Sequence, residues 1–347
     1  MTQQSPDPLL NPHRAPTLAG VERAAAKVAA LLPQTPLLPL EVDGKTIWCK
    51  AECLQPVGAF KIRGAWHRLT DLTPEQAAAG VVGVSSGNHA QGVAWAAKRL
   101  AIKATIVMPS NAPAMKLAAT RQLGAEVVLY DRVTESRDAV AAKLLEQRGG
   151  TLVHAYGDPW IIEGQGSAGT EAKAQMAARG IAGPDKVVAC CGGGGLSAGL
   201  ALALPDAEIV AVEPEGWDDV TRSLAAGEIL SVEDMAYPTE CDALQTPETW
   251  PINFAVLQAR GVRGVVVTRS EVRHAMRTVF EKLHLVVEPG GAAALAAVLA
   301  GKVPLTDATL VTLSGGNVDP LKFAEIITES AGGNLSAPER LDGEGEA

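Results

Sequence analysis

One lysine stands where chemistry could begin. In Pro56-Val57-Gly58-Ala59-Phe60-Lys61-Ile62-Arg63-Gly64-Ala65, a loop with glycine and proline turns into an amphipathic run, and Lys61 falls at the turn. The start of a helix carries partial positive charge and disfavours an ammonium there by about 0.3–1 kcal/mol. The same field lowers the cost of the neutral amine, the form a lysine needs for Schiff-base chemistry with a carbonyl compound. Taken by itself, the segment also fits an ordinary surface lysine.

Three glycine-bearing turns each follow a run that reads as a strand. They are Ser85-Ser86-Gly87-Asn88-His89, Gly192-Gly193-Gly194-Gly195-Leu196-Ser197 and Ser314-Gly315-Gly316-Asn317-Val318-Asp319. Ligands of open parallel sheets bind beyond the carboxyl ends of the strands, so the three turns point to one cleft. Four glycines in a row bare their N–H groups and lead into a helix N-terminus, a cradle suited to phosphate. A flexible turn is the plainer reading, but glycine costs chain entropy, and four together after a buried strand favour a ligand. No Gly-Lys-Ser/Thr follows, so the turn is not a Walker loop. Gly193-x-Gly195-x-x-Ala198, with Glu213 closing the next strand about 20 residues on, also fits a dinucleotide fingerprint. A nicotinamide-dependent oxidoreductase therefore stays open as an alternative, although it leaves Lys61 and the other two turns without work.

Ser86 and Asn88 stand at another helix start, where hydroxyl, amide and N–H donors suit a substrate carboxylate; simple capping explains them equally well. Ser314 offers a neutral hydroxyl at a strand end, suited to a ring nitrogen or to a plain turn. Glu213-Pro214-Glu215-Gly216-Trp217-Asp218-Asp219 gathers oxygen ligands of the kind Mg²⁺ or Ca²⁺ takes, though acidic loops are more often solvated surface. The histidines show neither metal nor triad spacing, so His67, His154, His274 and His284 read as structural or exposed. His89 reads as a local hydrogen-bonding residue and not a base.

The elements that must position these groups alternate regularly. From about residue 74 to 151, short β-branched runs at 81–84, 104–108 and 126–129 are separated by Ala-rich helical stretches. A second series runs through 186–191, 208–212, 264–268 and 308–313. Such alternation gives βαβ units and a parallel sheet, here two α/β units flanking a cleft. The helix read at 21–32 precedes them, residues 1–17 read as a flexible lead-in, and 331–347 as a disordered tail. The 347 residues suffice for two domains, and with 47% hydrophobic but only 4% aromatic residues the core must be Ala, Val, Leu and Ile. A net charge of -9 argues against nucleic acid or an anionic membrane as partner. Five cysteines without paired CxxC spacing argue against zinc and a disulfide framework. With no run of about 20 apolar residues and no signal-like start, we expect a soluble cytoplasmic protein.

In order along the chain, Lys50-x-Glu52, Gly58-Ala59-Phe60-Lys61-x-Arg63-Gly64-Ala65, Ser85-Ser86-Gly87-Asn88-His89, Gly192 to Gly195, Glu288-Pro289-Gly290 and Ser314-Gly315-Gly316-Asn317 resemble the pyridoxal-phosphate serine/threonine dehydratases. This fold type II group, tryptophan synthase β-like in architecture, also contains serine racemase and the 3-hydroxyaspartate dehydratases. The resemblance spans roughly residues 20–325. It implies two open, twisted, mostly parallel sheets with helices on both faces. Residues 1–70 and 155–330 would form a large cofactor domain and 71–154 a small one.

Carried over residue by residue, the resemblance implies that Lys61 holds pyridoxal phosphate covalently and, once freed, acts on the Cα proton. Phe60 would flank the ring, Asn88 bond its phenolic oxygen, Gly192, Gly193, Gly194 and Gly195 hold the phosphate, and Ser314 meet the pyridine nitrogen. Ser85, Ser86, Gly87, Asn88 and His89 would hold the substrate carboxylate, with Ser86 also the opposite-face acid/base used in serine racemase. Arg137 matches an arginine that reaches the substrate side chain in that enzyme. Glu213, the carbonyl of Trp217, and Asp219 match its divalent-cation site, Mg²⁺ being the usual occupant, and a homodimer is implied as well. Two features depart from the pattern: no C-terminal regulatory domain follows the last core strand, so isoleucine feedback is not expected, and Cys241-Asp242-Ala243-Leu244 stands where an Ala-Asp-Gly run is common. The activity implied is α,β-elimination from a β-hydroxy amino acid to a 2-oxo acid and ammonia, L-threonine or L-serine first. A 3-hydroxyaspartate dehydratase and a serine racemase are the alternatives.

Overall fold

The computed structural model describes residues 14–85, 87–112, 114–232 and 238–329. Its strands are β1 (Leu37–Val42), β2 (Lys45–Ala51), β3 (Val81–Val84), β4 (Ala104–Pro109), β5 (Glu126–Tyr130), β6 (Thr151–Val153), β7 (Lys186–Cys190), β8 (Glu208–Pro214), β9 (Arg263–Val267) and β10 (Thr309–Leu313). They form a six-stranded sheet in the order β1-β2-β10-β7-β8-β9 and a four-stranded sheet in the order β5-β4-β3-β6. Every pairing is parallel except β1 with β2.

Burial explains the order. All five residues of β7 and of β10 are buried, the continuous apolar pattern of a strand covered on both faces, and both lie inside their sheet. β1 alternates between buried and exposed positions and sits at the edge. It contains Pro39, which hides it from a search for uninterrupted β-formers; an edge strand tolerates proline because one row of its N–H groups pairs with nothing. The largest apolar cluster fills the space around the six-stranded sheet, and Ala, Val, Leu and Ile dominate it as the composition requires.

Two close approaches place the lysine helix, Lys61–Leu69. A Cβ on Gly164, in the helix Pro159–Ala177, would fall 2.4 Å from the Cα of Gly64. A Cβ on Gly92, in the helix Asn88–Leu100, would stand 3.1 Å from the carbonyl of Lys61 itself. Larger side chains at either position would push Lys61 off its mark.

Residues 14–17, read as part of a flexible lead-in, are held in the fold. Arg14 donates to both oxygens of buried Glu163 at 2.6 and 2.7 Å, and Thr17 caps the helix Leu18–Ala29 through Gly20 N–H. A buried carboxylate 149 positions away holds Arg14, and nothing local announces it. Residues 1–13 and the tail read at 331–347 lie outside the described residues. All five cysteines are free and buried. No helix among the described residues is long and apolar enough to cross a membrane.

Candidate active site

Lys61 is the first residue of its helix, as the sequence indicates, and Phe60 precedes it as a cap with no side-chain capping bond. The loop before it is stitched to the turn after β10: Phe60 N–H donates to the Ser314 carbonyl at 3.0 Å and Gly316 N–H to the Gly58 carbonyl at 2.8 Å. The Lys61 amine donates to the Ala155 carbonyl at 2.7 Å and lies 5.2 Å from the centre of the Phe60 ring. Desolvation pushes its pKa down to about 8, so the neutral amine is within reach near neutral pH.

The four glycines join β7 to the helix Gly195–Ala203, with Gly194 in the left-handed region at φ +85°. That helix start leaves its first N–H groups without intrahelical acceptors. The Ser197 hydroxyl in its first turn is buried without a hydrogen-bond partner, which suits an anionic group resting there. A Cβ on Gly193 would stand 2.3 Å from the Tyr156 ring, so glycine is demanded by packing as well as by a ligand.

Asn88 opens the helix Asn88–Leu100, but its side chain does not cap it. Its amide nitrogen donates to Glu288 and its carbonyl oxygen accepts from Asn317 at 2.8 Å. This locks the amide plane and leaves one N–H for a ligand. Ser314 is buried behind its turn, its hydroxyl accepting from the Cys190 thiol at 2.9 Å. Phe60, Lys61, Ser85, Gly87, Asn88, His89, Arg137, all four glycines and Ser314 line one cleft of ≈ 930 Å³, mouth included. An electrophile-capturing amine, an anion cradle and a fixed amide around one cleft fit a flat, phosphorylated aldehyde.

The sequence profile described as "Pyridoxal-phosphate dependent enzyme" matches residues 28–315. The chain belongs to that family. An L-threo-3-hydroxyaspartate ammonia-lyase of Pseudomonas sp is 38% identical over 317 residues, 88% of this chain and 97% of the relative. The solved structure of maize serine racemase superposes with a TM-score of 0.83 at 34% identity, covering 90% of this chain and 97% of the other. The crystal structure of a T.th. threonine deaminase gives 0.79 at 42%, covering 88% and 99%. The chain is thus a fold type II pyridoxal-phosphate enzyme of the carbon–nitrogen lyase type, α/β in class.

Membership of this pyridoxal-phosphate family ends the dinucleotide reading of Gly193, Gly195 and Glu213, and the geometry explains why. The Glu213 carboxylate accepts from Val220 N–H at 3.0 Å and from Thr221 N–H and hydroxyl at 2.7 and 2.6 Å, leaving little of it for a ribose. His89 commits its ring to the Val153 carbonyl at 2.8 Å, and burial followed by the Lys61 charge pushes its pKa down to about 3. It stays neutral, and its Nδ1 is buried without a hydrogen-bond partner. His154 packs between Tyr156 and Trp250, centroids 4.6 and 4.9 Å away, and accepts from Gly157 N–H at 2.6 Å. Ser86 lies outside the described residues.

Glu213 is the last residue but one of β8 and Asp219 opens the helix Asp219–Ala226, away from the cleft, with Trp217 in the turn between them. Both carboxylates are buried; desolvation pushes both pKa values up, with repulsion from Asp218 raising that of Glu213 further and repulsion from Glu213 raising that of Asp219. Neither Asp219 oxygen has a hydrogen-bond partner. No group of three or more His, Cys, Asp or Glu side chains converges among the described residues, so any cation here would need the Trp217 carbonyl or water as well.

Three cleft residues received no site role from the sequence, although Glu288 stands in one of its motifs and Asp242 in one of its departures from the family pattern. Glu288 is buried with Oε2 unpartnered, its pKa pushed up to about 7 chiefly by burial. Its sequence signal is the Glu288-Pro289-Gly290 motif, an acid before proline at a helix start, to which the sequence reading attaches no role. Lys116 and Asp242 form an ion pair across the cleft wall. Nothing in the spacing of two residues so far apart relates them.

Proposed function

We propose that this enzyme removes the β-hydroxyl and then the amino group of a β-hydroxy amino acid, and that 3-hydroxyaspartate is the substrate it fits best. The observation that carries the choice is Arg137. It opens the helix Arg137–Arg148 on the cleft wall, and its ion pair among the described residues is a 3.7 Å contact with neighbouring Asp138. Of the other basic residues of the wall, Lys116 is already paired with Asp242 and Lys61 is proposed to hold the cofactor. A guanidinium left free in a concave site matches a second substrate carboxylate in a bidentate fork. L-Threonine and L-serine are the second reading, supported by the likeness to threonine deaminase.

Bound pyridoxal phosphate would supply an electron-withdrawing ring that acidifies the substrate Cα–H and an acid near the leaving hydroxyl. Lys61 would hold it covalently, Gly192 to Gly195 its phosphate, Asn88 its phenolic oxygen and Ser314 its ring nitrogen. Lys61, freed by the substrate amine, takes the Cα proton; its lowered pKa keeps a share of the amine able to do so. Ser85, Gly87 and the amides at the start of the helix Asn88–Leu100 would hold the α-carboxylate, and Ser86 keeps only the opposite-face acid/base role that the resemblance implies. The products are a 2-oxo acid and ammonia.

The test is oxo-acid formation from L-threo- and erythro-3-hydroxyaspartate, L-threonine and L-serine, with D-serine measured alongside. Highest kcat/KM on a hydroxyaspartate is expected. Arg137→Ala should cut that value by about 10- to 100-fold, the worth of one charge-assisted contact, while leaving threonine turnover within a few-fold. Equal losses on both substrates would remove the dicarboxylate reading, and D-serine without any oxo acid would overturn the lyase.

Glu213, the Trp217 carbonyl and Asp219 are proposed to hold a divalent cation. Support comes from the unpartnered Asp219 oxygens and from two buried carboxylates whose repulsion a cation would relieve. Chelator is then expected to lower the melting temperature and added Mg²⁺ to restore it, by about 2.7 kcal/mol of stability at a hundredfold excess over Kd. A melting curve indifferent to both would return the pair to plain structure.

A further inference from the structure

We propose that Cys190 sets the direction of the Ser314 hydrogen bond, holding that hydroxyl as a donor toward the cofactor's ring nitrogen. The inference rests on the reading above in which Ser314 meets that nitrogen.

β10 and β7 are parallel neighbours, so the end of one strand brings Ser314 beside Cys190, the last residue of the other. The thiol donates to Ser314 Oγ at 2.9 Å, with Cys190 only 3% and Ser314 only 4% exposed. A serine hydroxyl has one proton and two lone pairs, and by itself it rotates to serve either a donor or an acceptor. Here the contact to the Cys190 thiol limits that choice, and the backbone groups of Ser314 are engaged elsewhere. The Ser314 carbonyl is taken by Phe60 N–H at 3.0 Å and its own N–H by the Gly291 carbonyl at 3.3 Å. With the thiol proton on one lone pair, the hydroxyl proton must point elsewhere, and both side chains line the cleft that Lys61 faces.

The thiol is suited to this task. Burial pushes its pKa up to about 11, so it keeps the proton it donates. The Cys190 backbone N–H reaches the hydroxyl of Thr312 at 3.4 Å, two residues before Ser314 and so on the same face of the chain. A hydroxyl fixed as donor meets an unprotonated ring nitrogen. Without the thiol it could turn and accept from a protonated one. Cys190 is therefore a positioning residue that acts on the cofactor through Ser314.

The experiment compares holoenzymes of the native chain, Cys190→Ala, Cys190→Ser and Ser314→Ala. Three readouts apply: the infrared S–H stretch isolated by subtracting the Cys190→Ala spectrum, the visible absorption of bound pyridoxal phosphate, and its release rate on dilution. We expect the S–H band to move toward that of a free thiol in Ser314→Ala. In Cys190→Ala the visible band should shift and release should quicken by about 3- to 10-fold, the worth of one hydrogen bond, with Cys190→Ser restoring both. If Ser314→Ala shifts band and release but Cys190→Ala matches the native enzyme, Cys190 has no such role and the Ser314 reading stands. If Ser314→Ala itself matches the native enzyme, the ring-nitrogen reading fails and takes the proposal with it. Should Cys190→Ala not fold, an S–H band unmoved by Ser314→Ala, isolated against Cys190→Ser, overturns the proposal.

Discussion

Lys61→Ala is expected to abolish turnover, by roughly 10⁴-fold or more, in a protein that still folds. Two proposed roles would disappear together, the covalent hold on the cofactor and the base for the Cα proton, and acid–base catalysis by itself is worth about 10²- to 10⁴-fold. The cost to the fold is small because the amine makes one hydrogen bond, to Ala155, whose loss is worth about 1 kcal/mol. Alanine is also a better helix former than lysine, and a helix start gains from losing a positive charge. Circular dichroism and the denaturation midpoint should therefore stay near native while oxo-acid production vanishes. Borohydride should fix pyridoxal phosphate to the native chain at the peptide carrying Lys61 and leave the variant unlabelled. Turnover surviving in Lys61→Ala would end the assignment.

The largest effect on stability is expected two residues away. Arg63 is fully buried and donates to both oxygens of buried Glu52, at 2.7 and 2.8 Å, and to Ser167 at 3.3 Å. It lies 3.1 Å from Glu171, which also pairs with buried Lys50 at 2.5 Å. Two cations and two carboxylates thus balance inside the protein, with Thr35 completing the bonds to Glu52 at 2.7 Å. Arg63→Ala would strand Glu52, and breaking a buried pair costs about 3–5 kcal/mol because the remaining charge is left without compensation. Lysine should rescue little, since one ammonium cannot make the paired contacts of a planar fork.

The pH dependence gives a second check. Burial alone would raise the Glu52 pKa, but the Arg63 charge and hydrogen bonds outweigh it and hold it below the ordinary value. A carboxyl depressed in the folded state stabilises fully above its unfolded pKa of about 4.3 and loses that contribution as pH falls through the folded value. Native stability should accordingly drop in acid, and Arg63→Ala should show less of that drop while starting lower. An unfolding free energy from urea denaturation in Arg63→Ala within about 1 kcal/mol of native, the net worth of one hydrogen bond, would refute the account.

Much of this enzyme was legible in short stretches of its chain. β-Branched runs alternating with Ala-rich segments dictated parallel sheets because periodicity is a local property, and both sheets are there. Lys61 at a helix start, Asn88 at another and four glycines after a buried strand are likewise features of a few consecutive residues, and the structure has each where its neighbours imply. The folded chain decided what those residues touch. Asn88 was equally readable as a cap, and only Glu288, 200 positions on, and Asn317 make it a locked amide instead. Arg14 looked free until Glu163 was found beneath it, and β1 was hidden by Pro39 until its place at a sheet edge made proline harmless. Cys190 and Ser314, 124 positions apart, meet because their strands are neighbours, and Lys116 meets Asp242 across the cleft. Local backbone preference acts over a few residues, whereas burial and charge pairing act through space. Element type and the position of the proposed nucleophile therefore belong to the sequence, and the environment that tunes that amine belongs to the fold.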